Sequence, residues 1–472
     1  MDDRPIKKGK PTRVLNIFIL AMLNVSIMAS LRNLPLVAEY GLSALFYFVV
    51  VGLLFLLPAA LVSAELATGW SKEGGIYIWV REALGDRWGF FAIWMQWVHN
   101  VAWYPVILSF VATILAHVIA PSFADNKAYV LVVVLISFWG MTLLNYLGIK
   151  TSSLFSTTGV IVGTIIPGLF IISLGIFWLV GDNPTHTALS TSALIPDLSS
   201  INNLVFLAGL FLAFTGLEVS AAYAGEVKEP QKNYPKAILI AAIITFALFM
   251  LGALSIALVV PKEQITLVGG LMEAFKVFFD HYGLGWILPL VGVLLVIGAI
   301  AEVNSWIVGP VKGLHATSIH GNLPPFLQKL NRRGMPANLL LVQAIIVTLS
   351  SFVFLEMPTV SSTYWILTAL SAQTYLVMYL LMFIAAIRLR YTNPHVPRAY
   401  RIPYPHKGIW FVSLIGILAS LFAIGIAFVP PAQLDVGNLF FYEGFLAISF
   451  LIMCAIPLII YQLRKPSWLK NI

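Results

Sequence analysis

Charge is scarce in this chain of 472 residues: Asp, Glu, Lys and Arg together make up only 10% of it. A soluble protein keeps about a quarter of its residues charged to hold its surface in water. With 60% of the residues hydrophobic and a mean hydropathy of +0.91, most of the surface must face something other than water, and lipid fits. Cysteine is nearly absent. Cys454 stands alone, which excludes a disulfide or a cysteine-metal framework. The histidines are scattered with no pair at metal-ligand spacing, so neither metal nor cofactor is expected. No nucleophile elbow, phosphate loop or zinc signature survives the placement of residues along the chain. An enzyme embedded in the membrane would need convergent groups such as paired acids with histidines, and nothing in the spacing supplies them. No small-residue cleavage site follows the polar start, so residues 1–13 read as a cytoplasmic tail and not as a signal peptide.

Long apolar runs are abundant. Crossing roughly 30 Å of hydrocarbon takes about 20 apolar residues in a helix. Such runs occur near 14–38, 42–68, 86–120, 128–148, 152–181, 202–224, 236–260, 284–312, 337–356, 360–388, 407–429 and 437–462. The chain therefore reads as an all-α membrane protein of about twelve transmembrane helices. It is expected to form one membrane domain over 14–462, with tails at 1–13 and 463–472. The net charge of +8 might suggest nucleic acid, but its placement argues for a bilayer. Alternate connections hold Arg4, Lys7, Lys8, Lys10, Arg13, Lys72, Arg81, Arg87, Lys150, Lys228, Lys232 and Lys236. The same side continues with Lys312, Lys329, Arg332, Arg333, Arg388, Arg390, Arg398, Arg401, Lys407, Arg464, Lys465 and Lys470. The opposite side has only Arg32, Lys127, Lys262 and Lys276. Basic residues resist translocation, so both termini are expected in the cytoplasm. The connection at 263–281 mixes apolar residues with Glu273, Lys276 and Asp280 and predicts a short amphipathic helix on the external face.

Polar residues at mid-span are the informative ones, because an ionisable group at a helix centre costs about 2.5–3.5 kcal/mol on insertion scales. The sixth run contains Phe214, Thr215, Gly216, Leu217 and Glu218. A glycine beside a carboxylate halfway through a span predicts a helix break, whose freed backbone groups need water, an ion or a solute. The bland alternative is close packing at Gly216 with Glu218 bonded to a neighbour. The first run carries Asn24, Val25, Ser26, Ile27, Met28, Ala29 and Ser30, then Arg32 and Pro35. Proline supplies no N–H, so a kink or break is expected there too. Interrupted helices in corresponding positions point to a binding site. In the eighth run, Glu302 and Ser305 share a face with Asn304 turned away; Glu302 reads equally as a proton carrier or an interhelical partner. Tyr375 and Tyr379, four apart, project from one face of the tenth run. His99 reads as a pH-tuning group or a satisfied core histidine. Glu65 reads as a structural partner for cytoplasmic charges.

Three stretches resemble the amino acid–polyamine–organocation (APC) permeases, and among them the glutamate/GABA antiporters. The first is Glu73, Gly74, Gly75, Ile76 and Tyr77, followed by Arg81, Gly85, Gly89 and Phe90. The second is Gly216, Leu217 and Glu218, then Glu226, Val227, Pro230, Tyr234 and Pro235. The third is Ala301 and Glu302 with Ser305, Trp306, Ile307, Val308, Gly309 and Pro310. The resemblance implies a LeuT-like fold of five plus five helices in inverted repeat plus two more, in the cytoplasmic (inner) membrane. It implies unwound positions at 25–29 and 214–218, with Tyr375, Tyr379 and Glu302 aligned on the family's functional residues. It departs from the antiporter pattern at Arg32, where the relative carries an aromatic residue. It also departs at the tail, which is too short to plug the inner mouth, so gating by such a plug is not expected.

The expected activity is alternating-access transport of an amino acid or amine. The substrate would lie at Val25, Ser26, Ile27, Met28, Ala29, Phe214, Thr215, Gly216, Leu217, Glu218, Tyr375 and Tyr379. Gating or proton coupling falls to Arg32, His99 and Glu302. Exchange of the glutamate/GABA type leads, proton-coupled uptake is the closest rival, and a membrane sensor of amino acids is the alternative from another class.

Overall fold

The computed structural model describes residues 16–70, 74–147, 158–199, 201–219, 227–404 and 406–469. Among them the chain is helical, with no β-strand. Among the described residues, ten helices are long and apolar enough to cross a membrane. They are α3 (Gly41–Gly69), α5 (Asp86–Ile119), α6 (Lys127–Tyr146), α7 (Thr158–Val180) and α9 (Pro230–Val259), then α11 (Leu288–Ala316), α12 (Ala337–Glu356), α13 (Val360–Thr392), α14 (Lys407–Ile426) and α15 (Leu439–Gln462). Shorter helices are α1 (Ile17–Met28), α2 (Leu34–Ala38), α4 (Ile76–Leu84), α8 (Leu207–Ala213) and α10 (Gly270–Tyr282).

The two expected crossings missing from the ten are the first and the sixth, and both are interrupted. In the first, α1 stops at Met28 and Ala29 and Ser30 are extended. A 3-10 turn at Leu31–Asn33 then leads into α2, with Pro35 in its first turn. In the sixth, α8 stops at Ala213, and the backbone of residues 214–218 is not helical. The remainder of that stretch, 220–226, lies outside the described residues, as do Glu73 and Glu226 of the resemblance motifs, the basic positions Lys72, Lys150 and Lys470, and the tail at 1–13.

Polar side chains start the helices where the sequence provides them. Asn16, Asn126, Thr359 and Asn438 accept hydrogen bonds from backbone N–H groups in the first turns of α1, α6, α13 and α15, each satisfying donors that have no intrahelical partner. The core is built around α5, which packs most extensively on α13 and then on α11. Helices α7 and α11 meet backbone to backbone at Gly163 and Gly298, where a Cβ on Gly163 would lie 2.2 Å from the Gly298 nitrogen. Small residues permit this approach between apolar helices that have no hydrophobic driving force in lipid. The crossing lies one turn before Glu302 and fixes that part of α11. The amphipathic helix expected at 263–281 is α10. It begins only at Gly270, after a separate 3-10 turn at Lys262–Gln264, and buries Phe275, Phe278 and Phe279.

Candidate substrate-binding site

The interrupted first and sixth stretches meet in the middle of the bundle. A helix end leaves its last carbonyls without intrahelical partners. At the end of α1, the Val25 carbonyl accepts from Ala29 N–H at 2.7 Å, and the Ile27 carbonyl accepts from the indole N–H of Trp306 at 3.3 Å. Across from it, Gly216 has φ +106°, a conformation that side-chain-bearing residues avoid, and a Cβ there would lie 3.0 Å from Ile27 and 3.3 Å from Trp306. The turn brings Glu218 inward, where it is buried. Its carboxylate accepts from the hydroxyls of both Tyr375 and Tyr379, and from the Gln96 amide at 3.0 Å. The Tyr379 hydroxyl also accepts from Gly216 N–H at 2.8 Å. One hydroxyl thus ties the broken backbone to the buried acid. A carboxylate left at this depth without donors would be costly, and three donors resolve it.

The tyrosine pair extends to His99, whose ring stacks on Tyr375 at 3.8 Å between centroids, with its Nδ1 3.3 Å from the Ser371 hydroxyl. Trp306 stands edge-on to both rings. On the other side of the break, Arg32 is buried. Its guanidinium donates to the Tyr364 hydroxyl at 3.0 Å, while that hydroxyl donates to the Arg32 carbonyl at 3.2 Å. The guanidinium lies 5.6 Å from the Trp103 ring centre, and its Nε is buried with no hydrogen-bond partner among the described residues. Ile27, Met28, Ser30, Arg32, His99, Trp103, Thr215, Glu302, Trp306 and Tyr375 border one cavity of about 20 Å³. A single water needs roughly 10–15 Å³, so the shell has closed on the site, and an amino acid requires it to open.

Most of the expected residues therefore converge, with differences in detail. The stretch expected to be unwound at 25–29 is helical through Met28; the break falls at Ala29 and Ser30. Ile27 and Met28 border the cavity, whereas Val25 is packed in the core. A helix can expose carbonyls simply by ending, so the last turn of α1 need not unravel. The side chain of Ser26 lies outside what the structure describes. Phe214 is in the break, but its ring packs on Phe48, Phe246 and Phe249, and Leu217 is likewise buried. Asn304 turns away from Glu302 and accepts from Asn145 at 2.7 Å. Gln96, Trp306 and Tyr364 are cavity or network residues not expected from the sequence. Gln96 was within reach, since it sits three residues before His99 and hence on the same face of α5.

Two clusters close the opposite end of the bundle from Arg32. Glu65 takes two hydrogen bonds of 2.5 Å from Arg390 and one of 2.9 Å from Ile402 N–H, with Arg398 beside it at 3.6 Å. This is the structural role expected of Glu65. Nearby, the Tyr77 hydroxyl donates to Asp86 at 2.9 Å, and Asp86 also accepts from Arg464 at 2.9 Å. Gln328 donates to the Trp468 carbonyl at 2.8 Å. Arg464 and Trp468, after α15, thus pack against this face.

Broken helices that present bare peptide groups around a closed cavity, inside a bundle of apolar spans, define a multi-pass membrane transporter. Sequence comparison assigns the family. Residues 15–452 match the amino acid permease model, and the chain belongs to the amino acid permeases of the APC superfamily. It is 42% identical to an uncharacterized transporter of Legionella pneumophila, over 94% of this chain and 96% of that one. It is 32% identical to a glutamate/gamma-aminobutyrate antiporter of Lactococcus lactis, over 95% and 90%. It is 26% identical to a probable agmatine/putrescine antiporter of the same species, over 78% and 77%.

Proposed function

We propose that this permease is a secondary active amino acid transporter of the glutamate/GABA antiporter type, working by alternating access. One observation carries the reading: the backbone breaks at residues 29–30 and 214–218 face each other across one small cavity of about 20 Å³. The substrate ammonium meets the open carbonyls at the end of α1. Its carboxylate meets N–H groups where the chain resumes after the first break, at the electropositive start of the turn and helix that lead into Leu34–Ala38. Glu218, Tyr375 and Tyr379 hold the sixth break in shape, and Arg32 with Trp103 and Tyr364 forms the outer lid. The closed clusters at Glu65 and Asp86 form the inner one. Interruptions in the first and sixth of twelve spans, five apart, support an inverted repeat of five plus five helices. The basic bias of alternate connections supports cytoplasmic termini in the inner membrane, with 14–462 as one domain and 1–13 and 463–472 as tails.

Counterflow into proteoliposomes tests the reading: labelled glutamate or GABA should accumulate when the lumen holds unlabelled substrate and no proton gradient exists. Absence of counterflow for every common amino acid and amine would overturn it. Glu302, buried on the cavity wall opposite Arg32, favours proton-coupled uptake as the second reading. Accumulation driven by an imposed pH gradient into empty vesicles would select that one.

A further inference from the structure

A second pair of cavities lies beyond Arg32, on the face that is external in the proposed orientation. The connections 39–43, 186–197, 260–265 and 433 converge there, and the cavities of about 210 and 160 Å³ share Glu39, Tyr40 and Lys262 on their walls. For scale, a cavity of about 150 Å³ takes up a benzene molecule. Each therefore has room for a small amino acid, which the 20 Å³ central cavity lacks.

Glu39 closes α2 and is only 9% exposed, yet its carboxylate has no hydrogen bond or ion pair within the described residues. The hydroxyl of Tyr40 beside it is enclosed and lies next to the backbone of Phe206 and Leu207. Native proteins leave few buried polar groups unsatisfied, and such groups call for an explanation. Lys262 stands near enough to act electrostatically on Glu39, with no ion pair between the two among the described residues. A shielded anion and a cation across an open space are complementary to a molecule that carries both charges.

Helix α2 joins this space to the central one. Asn33, at its start, borders the central cavity, and Glu39, at its end, borders the outer pair. Six residues of helix span about 9 Å, roughly the length of one substrate. We propose that the Glu39–Tyr40–Lys262 vestibule is an outer staging site for the zwitterionic substrate, occupied before the Arg32 lid opens. The substrate ammonium sits on Glu39 and Tyr40, and a carboxylate sits on Lys262. This inference rests on the carrier reading and its orientation.

The test measures exchange in proteoliposomes of defined orientation, with glutamate and GABA varied on one side at a time and putrescine as an external competitor. Glu39→Gln should raise the external KM for both amino acids at least fivefold and weaken putrescine competition. Lys262→Met should raise the external KM for glutamate more than for GABA and leave putrescine competition equal or stronger. Both variants should keep the inner KM and the maximal rate within twofold. Lys262 is on an exposed turn, so its variant folds even where Glu39→Gln does not. Unchanged external KM, equal shifts on both sides, or shifts without the charge-dependent pattern overturn the staging site while leaving the carrier intact. If the wild type exchanges none of these solutes, the carrier reading fails first and the staging site falls with it.

Discussion

Tyr379→Phe should impair exchange far more than Tyr375→Phe, although both remove one hydroxyl from the same helix face. The Tyr379 hydroxyl accepts from Gly216 N–H and donates to Glu218, whereas the Tyr375 hydroxyl donates to Glu218 alone. Losing a hydrogen bond to a charged group costs about 1.5–3 kcal/mol, and an orphaned buried N–H costs about 1–3 kcal/mol more. For Tyr375→Phe, Glu218 retains Tyr379 and Gln96, so the smaller loss applies. For Tyr379→Phe both losses apply, and they fall on the backbone of the sixth break. If that backbone must hold its shape to receive substrate, apparent affinity drops with the fraction of molecules in that shape. A loss of 1.5–3 kcal/mol corresponds to roughly 10- to 150-fold in KM, with Tyr379→Phe at the upper end or beyond and Tyr375→Phe at the lower. The assay is counterflow of labelled GABA or glutamate at saturating internal substrate, with reconstituted amounts matched. Equal effects, or a more damaging Tyr375→Phe, would show that the hydroxyl bridge does not organise the break.

Glu218→Ala should insert and fold yet exchange poorly, and full activity in reconstituted vesicles would remove Glu218 from the site. Arg32→Gln should lower glutamate exchange relative to GABA by about tenfold, the effect of losing some 1.4 kcal/mol of attraction to an extra carboxylate; an unchanged ratio measured by competition would exclude Arg32 from selectivity. Glu65→Gln leaves the buried Arg390 guanidinium without its counter-ion, and breaking such a pair costs about 3–5 kcal/mol, so unfolding in detergent should occur at a clearly lower temperature. Burial pushes the Glu39 carboxyl up to about 7, against Lys262 and with Glu263; Tyr40, His186 and Asp197 complete its surroundings. Its charged form is lost as external pH falls through that value, so external KM for GABA should rise between pH 8 and pH 6, and the rise should vanish in Glu39→Gln.

Local chemistry was legible in the sequence wherever it was unusual for a span. Gly216 beside Glu218 marked one break, Ser30, Arg32 and Pro35 the other, and Tyr375 with Tyr379 shared a face because four residues make about one helical turn. Polar and apolar alternation revealed α10. The position of the first break was off by a few residues, because small and hydroxylated side chains from 24 to 30 are compatible with a helix that ends at any of them. Contacts between distant residues were not legible. Trp306 reaches the Ile27 carbonyl from 279 positions away, and Tyr364 meets Arg32 from 332. A tryptophan or tyrosine in an apolar run looks like packing until the fold supplies its partner. The outer vestibule was hidden for the same reason, since four separate connections build it and none is distinctive alone.

Zwitterion capture by exposed peptide groups at the two breaks is tested most directly by a structure solved with saturating glutamate or GABA. The account predicts solute density between the end of α1 and residues 214–218, with its ammonium on the carbonyls of residues 26–28 and the cavity enlarged well beyond 20 Å³. Continuous helices through 29–30 and 214–218, or solute bound only elsewhere in the bundle, would contradict it.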